Sequence, residues 1–281
     1  SSDVCSSDLG LNQALASARS GSPTWIVGAV GTDDGGAWLR SSLAEDGIEA
    51  SGVASVDGSS GTALIELDAR GANRIVVIPG ANGWLHPDYT AAQVQRIEGP
   101  TVALAPLEVP PASVVAALRA AKAKGMLTIL NTAPVPTAGL PEGLLEVSDI
   151  VVPNEHEATL ITGIQVVDLE SAYAAGAWFL ERGASRAVIT MGAQGCAWIS
   201  SDGRGHVPAF KVTPIDTVAA GDAFCGVLAA SLAGGLNWIA SLDRACAAGA
   251  LATTVSGASP SLPTAYAIDA LVATRTSSTN P

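Results

Sequence analysis

Lysine is almost missing from this chain: it occurs only at Lys122, Lys124 and Lys211. With 14 Lys and Arg against 26 Asp and Glu, the net charge is −12 and the isoelectric point lies near 4.5. Nucleic-acid binding needs clustered cations, so that class of partner is excluded. Aromatic residues are also scarce, at 4%, which leaves few rings for stacking a nucleobase. The four cysteines, Cys5, Cys196, Cys225 and Cys246, form no Cys-x-x-Cys pair, the pattern of reduced thiols in a cytosolic protein. No apolar run reaches the ~18 residues of a membrane span. No basic start with an apolar stretch marks a secretory signal. A soluble cytoplasmic protein with no membrane partner is expected. His86, His156 and His206 are isolated, and no second histidine follows His156-Glu157 at zinc-motif spacing. There is no Gly-Lys-Ser/Thr phosphate loop. Gly28-Ala29-Val30-Gly31 with Gly35 misses the Gly-x-Gly-x-x-Gly spacing of a dinucleotide site.

What is present is an apolar chain, 48% hydrophobic over 281 residues, long enough for one α/β domain with an appendage. Strand-length apolar bursts alternate with helical patterns. WIVGAVG (25–31) precedes an amphipathic stretch from Asp34 to Glu45, and TVALA (101–105) precedes Pro111 to Lys124. MLTILN (126–131) follows, then DIVVPN (149–154), EHEATLITG, Leu169 to Arg182 and AVITMG (187–192). Near-continuous apolar strands between helices predict a mostly parallel sheet covered on both faces, a three-layer α/β/α sandwich. GTALIELDARGANRIVVIPGAN (61–82) instead holds two alternating runs joined by Asp68-Ala69-Arg70-Gly71, a hairpin signal. It reads either as a flap over the sheet or as a decorative edge hairpin. After Thr213 the pattern turns helical over Ala220–Gly234, Trp238–Thr254 and Thr264–Ala273, ending in a polar tail (275–281) expected to fray.

The chemistry concentrates in PIDTVAAGDAFCGVLAA (214–230). Small residues at Ala219, Ala220 and Gly221 open a helix, and the free amides of a first turn form an anion site that needs no lysine. Asp222 in that turn suits phosphoryl transfer: amides stabilise developing negative charge while a carboxylate takes the proton from an attacking hydroxyl. Taken alone, Asp222 reads as a favourable first-turn acid, and Glu157 as a solvated helix acid.

The string Asp216-Thr217-Val218-Ala219-Ala220-Gly221-Asp222 resembles the second signature of the ribokinase, or PfkB, family of sugar kinases. The likeness extends from Gly10 to about Ser261. SGTALIELDARGANRIVVIPGAN (60–82) resembles the family's lid hairpin, VVPNEHEATLITG its Pro-Asn-x-x-Glu segment, ITMGAQG its nucleotide turn and SGASPSLP its C-terminal loop. The resemblance implies a ribokinase-like fold with a small antiparallel β lid about 61–80, incomplete here, and a domain over 10–274. It implies ATP-dependent phosphorylation of a sugar's terminal primary hydroxyl, in first place D-ribose to ribose 5-phosphate. Deoxyribose, fructose and nucleoside kinases, or a noncatalytic sugar-binding protein on the same scaffold, stay open.

Carried over residue by residue, Asp222 is the expected base, with the amides of Ala220 and Gly221 forming the anion hole and Ala219 beside them in the catalytic turn. Gly10, Asn12 and Glu108 are the expected sugar ligands. Asn154, Thr190, Gly192, Gly195, Gly221 and Cys246 are expected at the ATP site, Cys246 in a position where relatives often carry a polar residue. Asn154 and Glu157 would organise Mg²⁺ through waters. K⁺ would use Asp216, Val218, Ala252, Val255, Gly257 and Ser261. A homodimer through the lid is a further implication.

The opening departs from the family's pattern. Gly10-Leu11-Asn12-Gln13 fits the end of a Gly-Gly-Lys-Gly-x-Asn-Gln segment, but Asp8 and Leu9 stand where Gly and Lys are expected. Asp3–Leu9 reads as the translated tail of a common sequencing adapter, so residues 1–9 are expected to be a non-native leader. The family's first strand, with its Asn-x-Asp sugar ligand, is then absent. A sheet lacking that member exposes pairing edges, and the chain as given is expected to be poorly stable and weakly active.

Overall fold

The computed structural model describes residues 9–67, 73–99 and 101–277. The expected leader up to Asp8, the hairpin turn at Asp68–Gly71 and the end of the polar tail lie outside these residues. Leu9, assigned to the leader from sequence, opens a helix, α1 (Leu9–Arg19). There follow β1 (Trp25–Gly31), α2 (Asp34–Glu45), β2 (Glu49–Val56), β3 (Thr62–Leu67), β4 (Asn73–Ile78), α3 (Pro87–Arg96), β5 (Val102–Ala105) and α4 (Pro111–Ala123). The central region is β6 (Leu127–Asn131), β7 (Ile150–Val152), α5 (Glu155–Thr162), α6 (Leu169–Leu180), β8 (Arg186–Thr190), β9 (Cys196–Ser200) and β10 (Gly203–Val207). Three helices close the chain, α7 (Ala220–Ala233), α8 (Trp238–Ala252) and α9 (Ala265–Ser277).

Helix starts follow local chemistry. The Asp33 carboxylate accepts the Gly36 amide at 2.9 Å ahead of α2. Asn154 and Asp168 each form a reciprocal capping box, at α5 and α6. The last helix runs past its expected end at Ala273 into polar residues. Arg275 holds it there, stacking 3.6 Å from the Phe210 ring and donating to the Pro208 carbonyl (2.7 Å) and to Asp243.

The main sheet has the order β10-β9-β8-β7-β6-β5. β5, β6, β7 and β8 run parallel, while β9 and β10 are antiparallel additions. Neighbouring residues on the parallel strands enter opposite cores, as a period of two requires. Ile129, Ile150 and Val188 pack with Leu11, Leu15, Val227 and Leu228 on one face. Leu130, Val151 and Ile189 pack with Leu118, Ala175 and Phe179 on the other. The expected α/β/α layering is therefore present. β3 and β4 form a two-stranded antiparallel sheet of their own, in register from Thr62–Ile78 to Leu67–Asn73. The hairpin is thus not an edge of the main sheet.

β1 and β2 pair in parallel but belong to a separate two-stranded sheet. Between β1 and β5 lies a cavity of about 660 Å³. Every residue from Trp25 to Val30 and from Val102 to Ala105 lines it. Consecutive strand residues point to opposite faces, so a cavity touching all of them borders the strand edges. Among the described residues, neither edge is paired on that side. Two strand edges, those of β1 and β5, thus border the cavity.

At the helix contact, Gly226 of α7 lies against α1, where an added Cβ would stand 2.7 Å from the Ala16 Cβ and would also meet the Gln13 carbonyl oxygen. Overpacking of this kind costs about 1–3 kcal/mol. Gly226→Ala is expected to lower stability by about that amount in denaturant melts, and an unchanged midpoint would show that the two helices part freely. In hydrogen exchange, cavity-facing amides of β5 should exchange well ahead of those of β6 and β7, which have partners on both sides; equal protection would mean the β5 edge is covered.

Candidate active site

The expected ligands converge at the carboxyl ends of the parallel strands, where open α/β sheets take ligands. Glu108 follows β5, Asn131 ends β6, Asn154 follows β7 and Thr190 ends β8. Asn154 and Thr190 are joined by a parallel bridge. The large cavity between β1 and β5 adjoins this region through Gly10 and Glu108, but Asp222 does not line it. The Leu9 amide donates to Glu108 Oε2 at 2.7 Å, which brings the start of α1 to the end of β5.

α7 begins at Ala219, the single non-glycine residue with a positive φ (60°) among those described. A left-handed alanine costs about 1–2 kcal/mol and turns the chain sharply into the helix. No side chain caps this N-terminus. The Ala220 amide makes a long turn bond, 3.3 Å, to the Thr217 carbonyl. Nothing lies within 4 Å of where a Cβ would sit on Gly221, so the backbone is open to close approach. Amides at the positive end of a helix, unblocked by side chains, suit an anion.

Asp222 lies in that first turn and is only 8% exposed. Its surroundings are polar. Asn12 Nδ2 donates to Oδ2 and Gln13 Nε2 to Oδ1, each at 3.1 Å. Asn12 is itself buried, and its Oδ1 accepts from the Ser259 hydroxyl at 3.3 Å. The structure thus brings Asn12, Asp222 and the C-terminal loop together.

Asp216 anchors the loop before α7. Its Oδ1 accepts from the Val218 amide (3.0 Å) and its Oδ2 from the Gly257 amide (2.9 Å). These donors hold its carboxyl below the usual carboxylate range. The Ile215 amide donates to the Thr253 carbonyl at 2.7 Å, so the segments holding Val218, Val255 and Gly257 lie side by side at the end of α8, where Ala252 sits. The Ser261 hydroxyl is buried and donates to the Ala258 carbonyl (2.7 Å).

Glu157 is buried, which excludes the solvated-acid reading. Its Oε2 accepts from the Thr132 hydroxyl at 2.7 Å, and its Oε1 from Asn154 Nδ2 at 2.7 Å. Burial pushes its carboxyl above the ordinary 4.5, against the opposing pull of Thr132 and the Asn154 amide. Beyond it, Thr190 leads into a tight turn, Gly192–Gln194. Gly192 and Gly195 both have positive φ (49° and 94°), and a Cβ at Gly195 would strike the Val207 carbonyl. Cys246 is placed in the core, its Sγ 3.7 Å from the Cys196 sulfur.

Gln13, Asn131 and Thr132 received no role from sequence. The available signal was a polar residue closing an otherwise apolar strand, as Asn131-Thr132 close MLTIL, and Gln13 beside Asn12.

The raised Glu157 has a consequence for stability. Between 4.5 and its shifted value, the folded chain holds a proton that the unfolded chain has released, so this group's contribution falls as pH rises through that window. The melting temperature of the parent relative to Glu157→Gln should decline as pH climbs from about 4.5. A difference that stays flat with pH would show that Glu157 keeps an ordinary pKa.

Residues 9–265 match the family described as pfkB family carbohydrate kinase. The bifunctional ribokinase/ribose-5-phosphate isomerase A of Fructilactobacillus sanfranciscensis is 38% identical over 261 residues, covering 92% of this chain and 48% of the longer relative. The chain spans about half the length of that relative. The ribokinase of Staphylococcus aureus is 34% identical, covering 90% of this chain and 84% of its own. Among solved structures, Arabidopsis thaliana ribokinase complexed with ribose and ATP superposes with a TM-score of 0.87 at 28% identity, over 94% of this chain and 86% of that one. A left-handed turn at Ala219 opening a helix with no side-chain cap, a buried carboxylate three residues on and a match over nearly the whole chain agree: the chain belongs to the pfkB family of carbohydrate kinases.

Proposed function

We propose that this sugar kinase of ribokinase type transfers the γ-phosphoryl group of ATP to the terminal primary hydroxyl of D-ribose, giving ribose 5-phosphate. The observation that carries this reading is Asp222 in the first turn of α7, a carboxylate beside unblocked helix amides. The likeness to ribokinases, one of them complexed with ribose and ATP, supports the choice of substrates.

In this mechanism the sugar hydroxyl replaces the Asn12 amide at Asp222 Oδ2. Asn12 and Glu108 then hydrogen-bond the remaining hydroxyls, with Gly10 beside them. Asp222 accepts the hydroxyl proton as the oxygen attacks, and the amides of Ala220 and Gly221 stabilise charge developing on the transferred group. Thr190, Gly192 and Gly195 form the nucleotide side, their turn leaving backbone close to the ligand. Cys246 lies behind that turn.

Mg²⁺ would neutralise phosphate charge when bound. Asn154 and Glu157 would hold it through waters, and Glu157 fits because a nearby cation offsets the penalty of burying its charge. The fit for K⁺ is the ionised Asp216 next to carbonyl-bearing segments at Val218, Val255 and Gly257 and the carbonyl end of α8 at Ala252. Its part would be to stiffen the loop before α7. Ser261 would contribute its oxygen.

Two experiments test the reading. In a coupled assay with a sugar panel, ADP release should depend on sugar and favour D-ribose over 2-deoxyribose and fructose. Binding of sugar with no ADP release would instead mean a noncatalytic binder. Asp222→Asn should cut turnover on the order of 10²–10⁴-fold while ATP affinity stays near the parent's. Retained turnover would assign the proton to another base.

A further inference from the structure

We infer that Gln13 is a positioning residue that fixes one oxygen of Asp222, so that the other alone is left to take the substrate proton. The inference rests on the reading of Asp222 as the base, and it concerns a side chain that stands in the family's Asn-Gln segment but has no role among the expected site residues or in the proposed mechanism.

The two oxygens of Asp222 are held in different ways. Oδ2 accepts from Asn12, whose other contact is the Ser259 hydroxyl on a loop. Oδ1 accepts from Gln13 Nε2, and the same nitrogen also donates to Asn131 Oδ1 at 3.0 Å. Asn131 in turn donates to the Val152 carbonyl at 3.0 Å. Oδ1 is therefore connected through two neutral amides to the ends of β6 and β7, the most deeply packed part of the molecule. Oδ2 is met by Asn12, whose side chain continues to Ser259 of the C-terminal loop and not to the sheet.

Gln13 makes this link at a cost. Its Nε2 faces two acceptors, Asp222 Oδ1 and Asn131 Oδ1, which fixes the orientation of the amide. Its own oxygen, Oε1, is then left buried without a partner. An orphaned buried acceptor costs about 1–3 kcal/mol. Fold stability alone does not favour such an arrangement, whereas holding a carboxylate in one rotamer does. Gln13 is 2% exposed, so it acts on substrate only through Asp222.

A fixed Oδ1 sets the carboxylate plane, and the incoming hydroxyl displaces from Oδ2 the amide of Asn12, whose side chain continues to Ser259, rather than from Oδ1 the amide of Gln13, whose side chain continues to the end of β6. Small misplacements of a reacting group carry large rate penalties, so the effect should fall on the chemical step and not on binding.

The test uses the full chain and two measurements. Gln13→Met keeps length and removes both donors. Its kcat should fall on the order of 10–100-fold, with KM for D-ribose and the dissociation constant for ATP within about twofold of the parent. An unchanged kcat, or a loss confined to KM, overturns the inference. The second measurement needs no substitution. In side-chain amide NMR of the parent, adding D-ribose with a non-hydrolysable ATP analogue should shift the Asn12 resonances and leave those of Gln13 in place. Gln13 moving as far as Asn12 overturns the division between the two oxygens. If neither moves, sugar does not meet Asp222, and the proposed function fails together with this inference; loss of kcat in Asp222→Asn with no effect in Gln13→Met fails the inference alone.

Discussion

One carboxylate at the start of one helix sets the demands that the rest of the structure meets. Asp222 lies at the opening of α7, and a buried carboxylate without donors is costly. Two of its donors come from a neighbouring element. α1 supplies them through Asn12 and Gln13. They reach only because the two helices approach closely, which Gly226 and Ala16 allow. The high content of small residues in α7, which looks like weak specification, is the condition for that close contact.

The sheet carries the second half of the arrangement. Its parallel strands end together, so residues separated widely in sequence (Glu108, Asn131, Asn154 and Thr190) share one rim. Each strand is gripped from both faces by separate apolar cores, and this makes the rim a rigid mounting for polar side chains. Against it stand the less constrained parts: a two-stranded hairpin apart from the main sheet and two open edges around a large apolar cavity. The molecule is therefore uneven, with strands paired on both sides under Asn131 and Asn154 and, among the described residues, unpaired edges at β1 and β5.

Local anion chemistry compensates for the scarcity of lysine. In the proposed site, helix-end amides, a left-handed alanine and glycine turns would take the place of cationic side chains toward phosphate, in keeping with a net charge of −12. The two acids beside them are tuned in opposite directions by their surroundings. Backbone amides hold Asp216 down, while burial lifts Glu157. Both are proposed cation partners, Asp216 for K⁺ while it anchors its loop, and Glu157 for Mg²⁺ through waters.

Much was determined by the sequence itself, because its signals are local. The alternation of WIVGAVG, TVALA, MLTILN and AVITMG with helical stretches predicts a parallel sheet, since near-continuous apolar runs fit only strands covered on both faces. The string from Asp216 to Asp222 predicts an anion site and a candidate base, since small residues before a first-turn acid act through their own backbone. β2, β9, β10 and α3 went unread. β10 is mostly exposed, and β2 mixes small and polar residues, so neither carries a strong period. Only the tertiary structure decided that Glu157 is buried, that Arg275 carries the last helix into the polar tail, and that Gln13 reaches across the chain to both Asp222 and Asn131. Those facts depend on contacts between residues far apart in sequence, and no local pattern encodes which distant amide a carboxylate will meet.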